Sequence, residues 1–332
     1  MLKKQLYWTV GVIIFLFIVL GSVFCYQIRQ DTLSARGQYT FKNTKNNIAK
    51  LSAIKINTAQ SGEINMYLKD GAWYMKEAKD YFINPQALAN FFNMINNSLV
   101  ITKQKNFSKN FPSNNLLTEE ESKNFVGMGT EIKTYDDNGN LLDDVIIGRP
   151  TGKSGHFFAR QMKTAHQQII SGAEKFSGSA VDWLPLPLLQ IEQKLVKMVD
   201  INGYSLDAEQ LYFLWENSGL IKDFFAVLKN INYQGIIYRD EFFESSGEII
   251  PQQLRITMMG GLIYNLEIYK TEGNYWLSVK LEAERVAHKD VFPFVEANQK
   301  YFDKWLFLLP QESGDTLYSL RYKPYDMDVE SK

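Results

Sequence analysis

The sequence predicts an α+β fold class, in which an N-terminal transmembrane helix is followed by two similar repeats, each an antiparallel sheet with a helix. Three observations predict it. Residues 6–26 are almost wholly apolar. After them come short segments in which apolar and polar side chains alternate between turn residues, as in half-buried strands. These segments and one helix follow each other in the same order in both halves of the chain.

The apolar segment has the length of a membrane span. No charged side chain occurs between Gln5 and Ile28. At about 1.5 Å per residue, a helix over residues 6–26 is about 31 Å long, close to the roughly 30 Å of a bilayer core. A helix on the surface of a soluble protein has a polar face, and this segment has none. The residues expected to anchor it are Lys3, Lys4, Trp8, Phe15, Phe17, Phe24 and Tyr26.

The segment is expected to remain uncleaved. A lipoprotein signal needs a small residue before its cysteine, whereas Phe24 precedes Cys25. The basic start with Lys3 and Lys4 is typical of a short cytoplasmic stub. Four cations among residues 29–45 make the positive-inside comparison nearly even, but large domains are translocated regardless of such charges. We therefore expect the N-terminus inside and the rest of the chain outside.

Composition excludes several classes of protein. The formal net charge is −1, so bulk charge does not indicate nucleic acid or another polyanion as a partner. The single cysteine, Cys25, lies within the apolar segment, which excludes a disulfide scaffold. Aromatic residues make up 14% and charged residues 22% of the chain, as in a packed domain.

The chain divides into six predicted segments. They are a stub and membrane segment (1–28), a juxtamembrane linker (29–47), a first α+β repeat (48–180), a proline-containing connector (181–193), a second α+β repeat (194–285), and a C-terminal helix, strand and tail (286–332). The connector contains Pro185 and Pro187, which cannot both lie in a helix interior or a central strand. A proline-rich recognition motif is the alternative interpretation.

Local signals predict the elements of the first repeat. Alternation predicts a meander of strands near residues 54–56, 64–68 and 73–75. Asn84-Pro85 is a cap followed by a proline at the first helical position, which predicts a helix to about residue 97. Asn138-Gly139 lies between two alternating segments and predicts a tight hairpin, because both residues tolerate positive φ.

The second repeat and the C-terminal segment are predicted in the same way. We expect strands that include residues 211–216, 254–258, 262–269 and 275–281, with a helix over 223–231. Apolar spacing predicts a long helix over residues 290–309, followed by a strand at 317–322. That helix is expected to pack on the second sheet. The alternative is that it binds a partner through Phe294, Tyr301 and Trp305.

Motifs that suggest chemistry are incomplete. Residues 148–154 resemble a phosphate loop, but three residues separate the glycines where four are needed, and Pro150 lacks an amide proton. Ser52 and Lys55 match a Ser-x-x-Lys pair, yet positions i and i+3 of a strand face opposite sides.

Metal-binding patterns are also incomplete. The histidines, His156, His166 and His288, lack the spacing of a zinc site. Residues 136–140 lack the later glycine and glutamate of a calcium loop. We therefore expect no catalytic, cofactor-binding or metal-binding residues and no cofactor, and an enzyme of unrecognised type is a remaining alternative.

Five short motifs occur in a distinctive order. They are Gly71-Ala72-Trp73-Tyr74, Pro85-Gln86-Ala87-Leu88, Ile147-Gly148, Phe157-Phe158-Ala159-Arg160 and Asp182-Trp183-Leu184. In this order the chain resembles a bacterial family of domains of unknown function, number forty-three-forty, over most of residues 48–285. The resemblance implies a cell-envelope protein, frequently encoded beside gliding-motility-type ABC transporter components. It implies no catalytic residues.

These observations predict an accessory or scaffold protein. We expect it in the bacterial inner membrane, single-pass, held in the lipid bilayer through residues 6–26, with its C-terminal domain periplasmic. Its expected partner is a membrane protein complex such as ABC-type transporter components. No nucleic-acid partner is expected. The alternative is an extracytoplasmic module that binds glycan or peptide in the cleft between the repeats, near Trp183 and Trp276.

Overall fold

The computed structural model describes residues 36–60, 62–104, 110–162, 166–173 and 179–320. The chain forms two compact units. Unit 1 comprises the residues up to 73 together with Pro85–Ala180, and unit 2 comprises Tyr74–Asn84 together with residues from 181 onward. The predicted membrane segment and all seven of its predicted anchor residues lie outside the described residues.

The first sheet has nine strands in the order β4-β3-β2-β1-β6-β7-β8-β9-β5. The strands are β1 Leu51–Thr58, β2 Gly62–Lys69, β3 Ala72–Met75, β4 Tyr81–Phe82, β5 Leu99–Gln104, β6 Thr130–Asp136, β7 Leu141–Pro150, β8 His156–Gln161 and β9 Gln167–Ser171. Two α-helices accompany it, α1 Lys42–Asn46 and α2 Pro85–Asn97. The chain leaves unit 1 within β3 and returns at the start of α2.

The core of unit 1 is formed by apolar side chains at alternate positions of strands and at helical spacing on α2. Ile54 and Ile56 on β1 are fully buried, as expected for residues two apart on one face of a strand. Phe91, Met94 and Ile95 form the buried stripe of α2. The predicted meander, the helix beginning at Pro85 and the hairpin at Asn138-Gly139 are all confirmed.

The second sheet has seven strands in the order β11-β10-β13-β14-β15-β16-β12. Its strands are β10 Val196–Ile201, β11 Tyr204–Asp207, β12 Gly235–Tyr238, β13 Gln252–Met258, β14 Leu262–Thr271, β15 Asn274–Ala283 and β16 Trp305–Leu308. The α-helices of unit 2 are α3 Ala208–Asn217, α4 Gly219–Leu228, α5 Arg239–Ser246, α6 Val291–Asn298 and α7 Gln311–Ser319.

The two faces of the second sheet differ in polarity. On β14, Leu266 and Ile268 are buried on the face covered by α7, which packs in turn against α4. Asn265 and Glu267 alternate with them and face the other side. At one end of this polar face, Phe242 of α5 covers the sheet. The rest of this polar face lines a cavity, to which Asn265, Glu267 and Ser278 contribute.

The predicted fold class is wrong. The described residues form two antiparallel sheets of different size with different sets of helices, and not two similar sheet-plus-helix repeats. Seven strands of the first sheet do follow the same order of connections as the second sheet, but β3 and β4 extend the first sheet alone. None of the helices in the described part of the chain has the length and apolar composition needed to cross a bilayer.

Three predicted elements of unit 2 are also wrong. The predicted strand at 211–216 is helix α3, because Asp207 and Gln210 form a capping box at its start. The predicted helix over 290–309 ends at Asn298, and β16 follows it. Residues 317–319 of the predicted strand at 317–322 belong to α7, and residues 321–322 lie outside the described residues. These segments are rich in apolar residues, so helical and strand spacing are hard to separate over a short length.

Candidate interaction surface

Of the three predicted partner-binding residues, one is on the surface. Phe294 lies on α6 and is 44% exposed. Tyr301 is half-buried, with its ring centroid 4.6 Å from that of Phe82. Trp305 is only 5% exposed, and its Nε1 donates a hydrogen bond to the carbonyl oxygen of Lys79 at 2.9 Å. Trp305 is therefore part of the core of unit 2 and is not available to a partner.

Helix α6 is partly exposed: Val291, Val295 and Asn298 are half-buried on the side that contacts β15, and the other side faces solvent. Among the α-helices in the described ranges, it is the one that buries no residue. Phe292 is 50% exposed, and Pro293 occupies the first turn, where its missing amide proton costs no hydrogen bond. This helix packs on β15 without fully burying any residue, and its two phenylalanines stay exposed.

Two loops bring further apolar side chains to the same end of unit 2. The amide of Met259 donates to the carbonyl of Leu195 at 2.8 Å. The amide of His288 donates to the carbonyl of Gly260 at 2.9 Å, and the amide of Val291, the first residue of α6, donates to His288. We call this surface the apolar end. Its exposed members are Leu195, Met259, Val286, Phe292 and Phe294.

Gly261 allows these loops to meet. Its φ is +86°, a region that side chains rarely adopt. A Cβ at this position would lie 2.6 Å from the Cα of Ala287, closer than two atoms can approach without a backbone shift. Glycine at residue 261 therefore fixes the turn between β13 and β14 against the segment that leads into α6.

Paired charges border the apolar end. Lys197 and Glu284 form an ion pair at 3.0 Å, and His288 lies 3.2 Å from Asp290. Val286, between these pairs, is 88% exposed. Apolar residues exposed together within a polar rim are typical of protein-binding surfaces, whereas isolated exposed apolar residues are common everywhere.

A polar cavity of about 320 Å³ lies on the open face of the second sheet. The residues lining it are Arg239, Asn265, Glu267, Ser278, Val279, Lys280, Leu281, Gln299, Phe302 and Asp303. It forms because β16 pairs with β15 only at Trp276 and Leu277. Beyond that point, the Oε1 of Gln299 accepts a hydrogen bond from the amide of Leu281 at 2.6 Å.

Arg239 is the central side chain of this cavity. Its Nη2 donates to Ser278 Oγ at 2.5 Å and lies 3.2 Å from Glu267 Oε2. Tyr269 donates to the same carboxylate oxygen at 2.8 Å. Burial, and then the hydrogen bond to Glu267, raise the pKa of Tyr269 above its usual value, so it remains a protonated donor. Arginine cannot accept a proton from Ser278, so Arg239 acts towards this hydroxyl as a donor only.

The residues of the incomplete motifs have structural partners. Ser52 donates to the carbonyl of Asp136 at 2.6 Å, whereas Lys55 pairs with Glu63 at 3.4 Å. The carboxylate of Asp136 accepts the amides of Asn138 and Asn140, so it closes the hairpin turn. Within the ranges that the structure describes, no three potential ligand side chains converge on a metal position.

Two motif residues hold a loop that the sequence analysis left unassigned. A Cβ on Gly148 would lie 2.1 Å from the carbonyl oxygen of Asn114, so only glycine lets residues 110–129 lie against β7. Arg160 binds Glu121 through both guanidinium nitrogens, at 2.5 and 2.9 Å. The pattern Thr118-x-x-Glu121 is a capping-box signal that could have identified this turn.

Comparison of the chain with family models, with curated proteins and with solved structures finds no match. The family resemblance drawn from the motif order stays a prediction.

Proposed function

We propose that this protein is a membrane-attached accessory protein that acts by contact, and that the apolar end of unit 2 binds a membrane protein complex. The observation that carries the proposal is that α6 buries no residue and exposes Phe292 and Phe294. Attachment to the bilayer through residues 6–26 would place the rest of the chain in the periplasm, next to such a complex. The partner class is the one that the motif resemblance implies, ABC-type transporter components.

The apolar end has enough exposed area to support an interaction. Full burial of one large apolar side chain contributes roughly 1.5–3 kcal/mol. Two or three such side chains at the centre of an interface, with paired charges at its rim, are a usual arrangement of binding hot spots. At the rim, Lys197 pairs with Glu284, and the exposed Arg285 and Lys289 add positive charge, which favours a partner surface that is apolar at its centre.

The test is co-purification of the full chain with its partner from the membrane fraction of the native host. The double variant Phe292→Asp/Phe294→Asp is expected to reduce recovery of a membrane complex at least about tenfold, because two central anchors become charged. Phe213→Asp is the matched control, since Phe213 on α3 is 49% exposed and lies outside the apolar end. Equal recovery with both variants would contradict the proposal, as would finding the chain outside the membrane fraction.

The polar cavity supports a second candidate function, binding of a small zwitterionic ligand such as an amino acid or a short peptide. Arg239 and Lys280 line it together with Glu267 and Asp303, so both signs of charge are present, and its volume of about 320 Å³ suits a ligand of that size. Calorimetric titration with amino acids and dipeptides tests it. Asp303→Ala should abolish binding and the exposed Lys222→Ala should not, and the absence of any binding heat would exclude this candidate.

A further inference from the structure

We infer that residues 36–50, here called the docked segment, bind the anionic headgroups of the bilayer and hold unit 1 against the membrane surface. This inference rests on the proposed attachment of the chain to the bilayer. It adds a second membrane contact, made by folded residues.

The docked segment is part of the folded unit. Its first residues extend the first sheet along the edge of β5, where the amide of Gly37 donates to Val100 and the amide of Val100 donates to Gln38, both at 2.8 Å. Phe41 and Thr44 are fully buried. The sequence predicts a linker over residues 29–47, whereas the structure has an edge pairing and helix α1 in the second half of that range.

Asp143 on β7 fixes helix α1. Its Oδ2 accepts hydrogen bonds from the amide and the hydroxyl of Thr44, each at 2.7 Å. Its Oδ1 accepts from the side-chain amide of Asn43 at 3.1 Å. Because these groups are buried or partly buried, the orientation of the docked segment on unit 1 is well determined.

The docked segment and the elements beside it contain basic residues and no acidic residues. Residues 36–50 contain four cations and no acidic residue; they are Arg36, Lys42, Lys45 and Lys50. Residues 85–104, which form α2 and β5 beside it, contribute Lys103 and no acidic residue. The chain as a whole is close to neutral, with a net charge of −1, so this concentration of positive charge is local. Clusters of four or more cations next to a membrane segment are typical sites for anionic lipid.

Two carboxylates lie near these cations and offset part of their charge. Asp143 is buried beneath α1 and is bound by Thr44 and Asn43. Asp136, which pairs with Leu51, accepts hydrogen bonds from the hairpin turn and also interacts with the charge of Lys50, so the four cations of the docked segment still exceed these two carboxylates.

Exposed apolar groups accompany the cations. Tyr39 is 39% exposed and Ile48 is 40% exposed. The Nζ of Lys45 lies 3.3 Å from the centroid of the Tyr39 ring and donates to the carbonyl of Asn96 at 3.0 Å. Aromatic rings beside lysine are enriched where protein meets lipid headgroups.

The covalent link keeps this surface near the bilayer. Nine residues, 27–35, separate the end of the apolar segment from Arg36. Even fully extended, they span at most roughly 32 Å at about 3.6 Å per residue. Such a short link gives the docked segment a high effective concentration at the membrane surface, so weak electrostatic contacts suffice.

The test uses the full chain in lipid nanodiscs. A polarity-sensitive fluorophore is attached at Ile48→Cys in a Cys25→Ser background, and its quenching by neutral acrylamide is measured. Nanodiscs of phosphatidylcholine are compared with nanodiscs that also contain phosphatidylglycerol. We expect about threefold weaker quenching with the anionic lipid and loss of that protection in about 0.5 M salt, where the Debye length is only a few ångströms.

Charge reversal provides the matched comparison. Lys42→Glu/Lys50→Glu should restore full quenching, whereas Lys69→Glu/Lys153→Glu, exposed residues of unit 1 outside the docked segment, should leave the protection unchanged. Equal quenching in both lipids, or equal effects of the two double variants, would overturn the inference while membrane attachment stands. If the full chain does not enter nanodiscs at all, the inference and the proposed attachment both fail.

Discussion

At the scale of single residues, contacts with the loop 110–129 account for Gly148 and Arg160, which belong to two of the sequence motifs. Arg160 binds Glu121, and its guanidinium carbon lies 4.6 Å from the ring centroid of Phe111. The hydrogen bond from Arg160 is the largest influence on Glu121 and lowers its pKa. The arginine near the end of β8 thus holds the loop 110–129 through its contacts with Glu121 and Phe111.

This pair predicts a pH-dependent contribution to stability. Because the folded state lowers the pKa of Glu121, the stabilisation is present above the ordinary glutamate pKa and is lost as pH falls through the lowered pKa. Glu121→Gln should reduce the unfolding temperature near neutral pH, and the difference from the unchanged chain should vanish in acid. The effect should stay below about 1 kcal/mol, since the Glu121 side chain is 38% exposed.

The neighbouring exposed residue provides the control for that measurement. Glu120→Gln removes a carboxylate from the same acidic run and should change the unfolding temperature little at any pH. A difference between Glu121→Gln and the unchanged chain that persists undiminished in acid would show that the ion pair is not its source.

At the scale of elements, α1 and α6 differ in what holds them. Helix α1 has five residues, too few to be stable alone, and depends on Asp143. Helix α6 has eight residues, none of them buried, and is held at its start by the backbone bond from Val291 to His288. One short helix is therefore fixed by a buried carboxylate, and the other leaves Phe292 and Phe294 exposed.

The dependence of α1 on Asp143 is directly testable. Asp143→Ala leaves the buried amide of Thr44 without this acceptor, at a cost of about 1–3 kcal/mol, whereas the Thr44 hydroxyl keeps Thr134 as a partner at 2.6 Å. Hydrogen exchange of the amides of residues 37–47 should accelerate at least tenfold. Asp137→Ala, at an exposed position two residues before the hairpin glycine, is the control. Unchanged exchange in Asp143→Ala would mean that the edge pairing with β5 alone holds the segment.

At the scale of the whole molecule, the chain passes from unit 1 into unit 2 and back again before it completes unit 2. Residues Tyr74–Asn84 belong to unit 2 although their neighbours in sequence on both sides belong to unit 1. Within unit 2, the ring centroid of Tyr81 lies 5.0 Å from that of Trp305 and 5.5 Å from that of Phe307. Unit 2 is thus assembled from two separate stretches of the chain.

Tyr81 should therefore contribute to the stability of unit 2 and not of unit 1. Tyr81→Ala removes a side chain that is 2% exposed, and the cavity should cost unit 2 about 3–5 kcal/mol. Hydrogen exchange resolved by segment should show faster exchange in β12 and β16, with β1 and β6 unaffected. Phe91→Ala should give the reverse pattern, because Phe91 is buried in unit 1. Loss of protection first in β1 would contradict the assignment of Tyr74–Asn84 to unit 2.

Much of the local structure could be predicted, and much of the candidate surface could not. Phe294 was recognised as part of an apolar run, but the same run contains Trp305, which is buried. The two residues differ in what other segments bring to them. Tyr81 and Lys79 cover Trp305, whereas Phe294 lies on the side of α6 that stays exposed. The apolar end also needs Met259, which lies far from α6 in sequence.

The sequence by itself determined the hairpin at Asn138-Gly139 and the helix beginning at Pro85, because these depend on backbone preferences that act over a few residues. It also predicts bilayer attachment through residues 6–26, which rests on apolar composition alone. Only the tertiary structure decided that Tyr74–Asn84 completes unit 2, that residues 36–50 are packed and that α6 is left exposed. Burial depends on contacts between residues distant in sequence, and local spacing does not encode which of them meet.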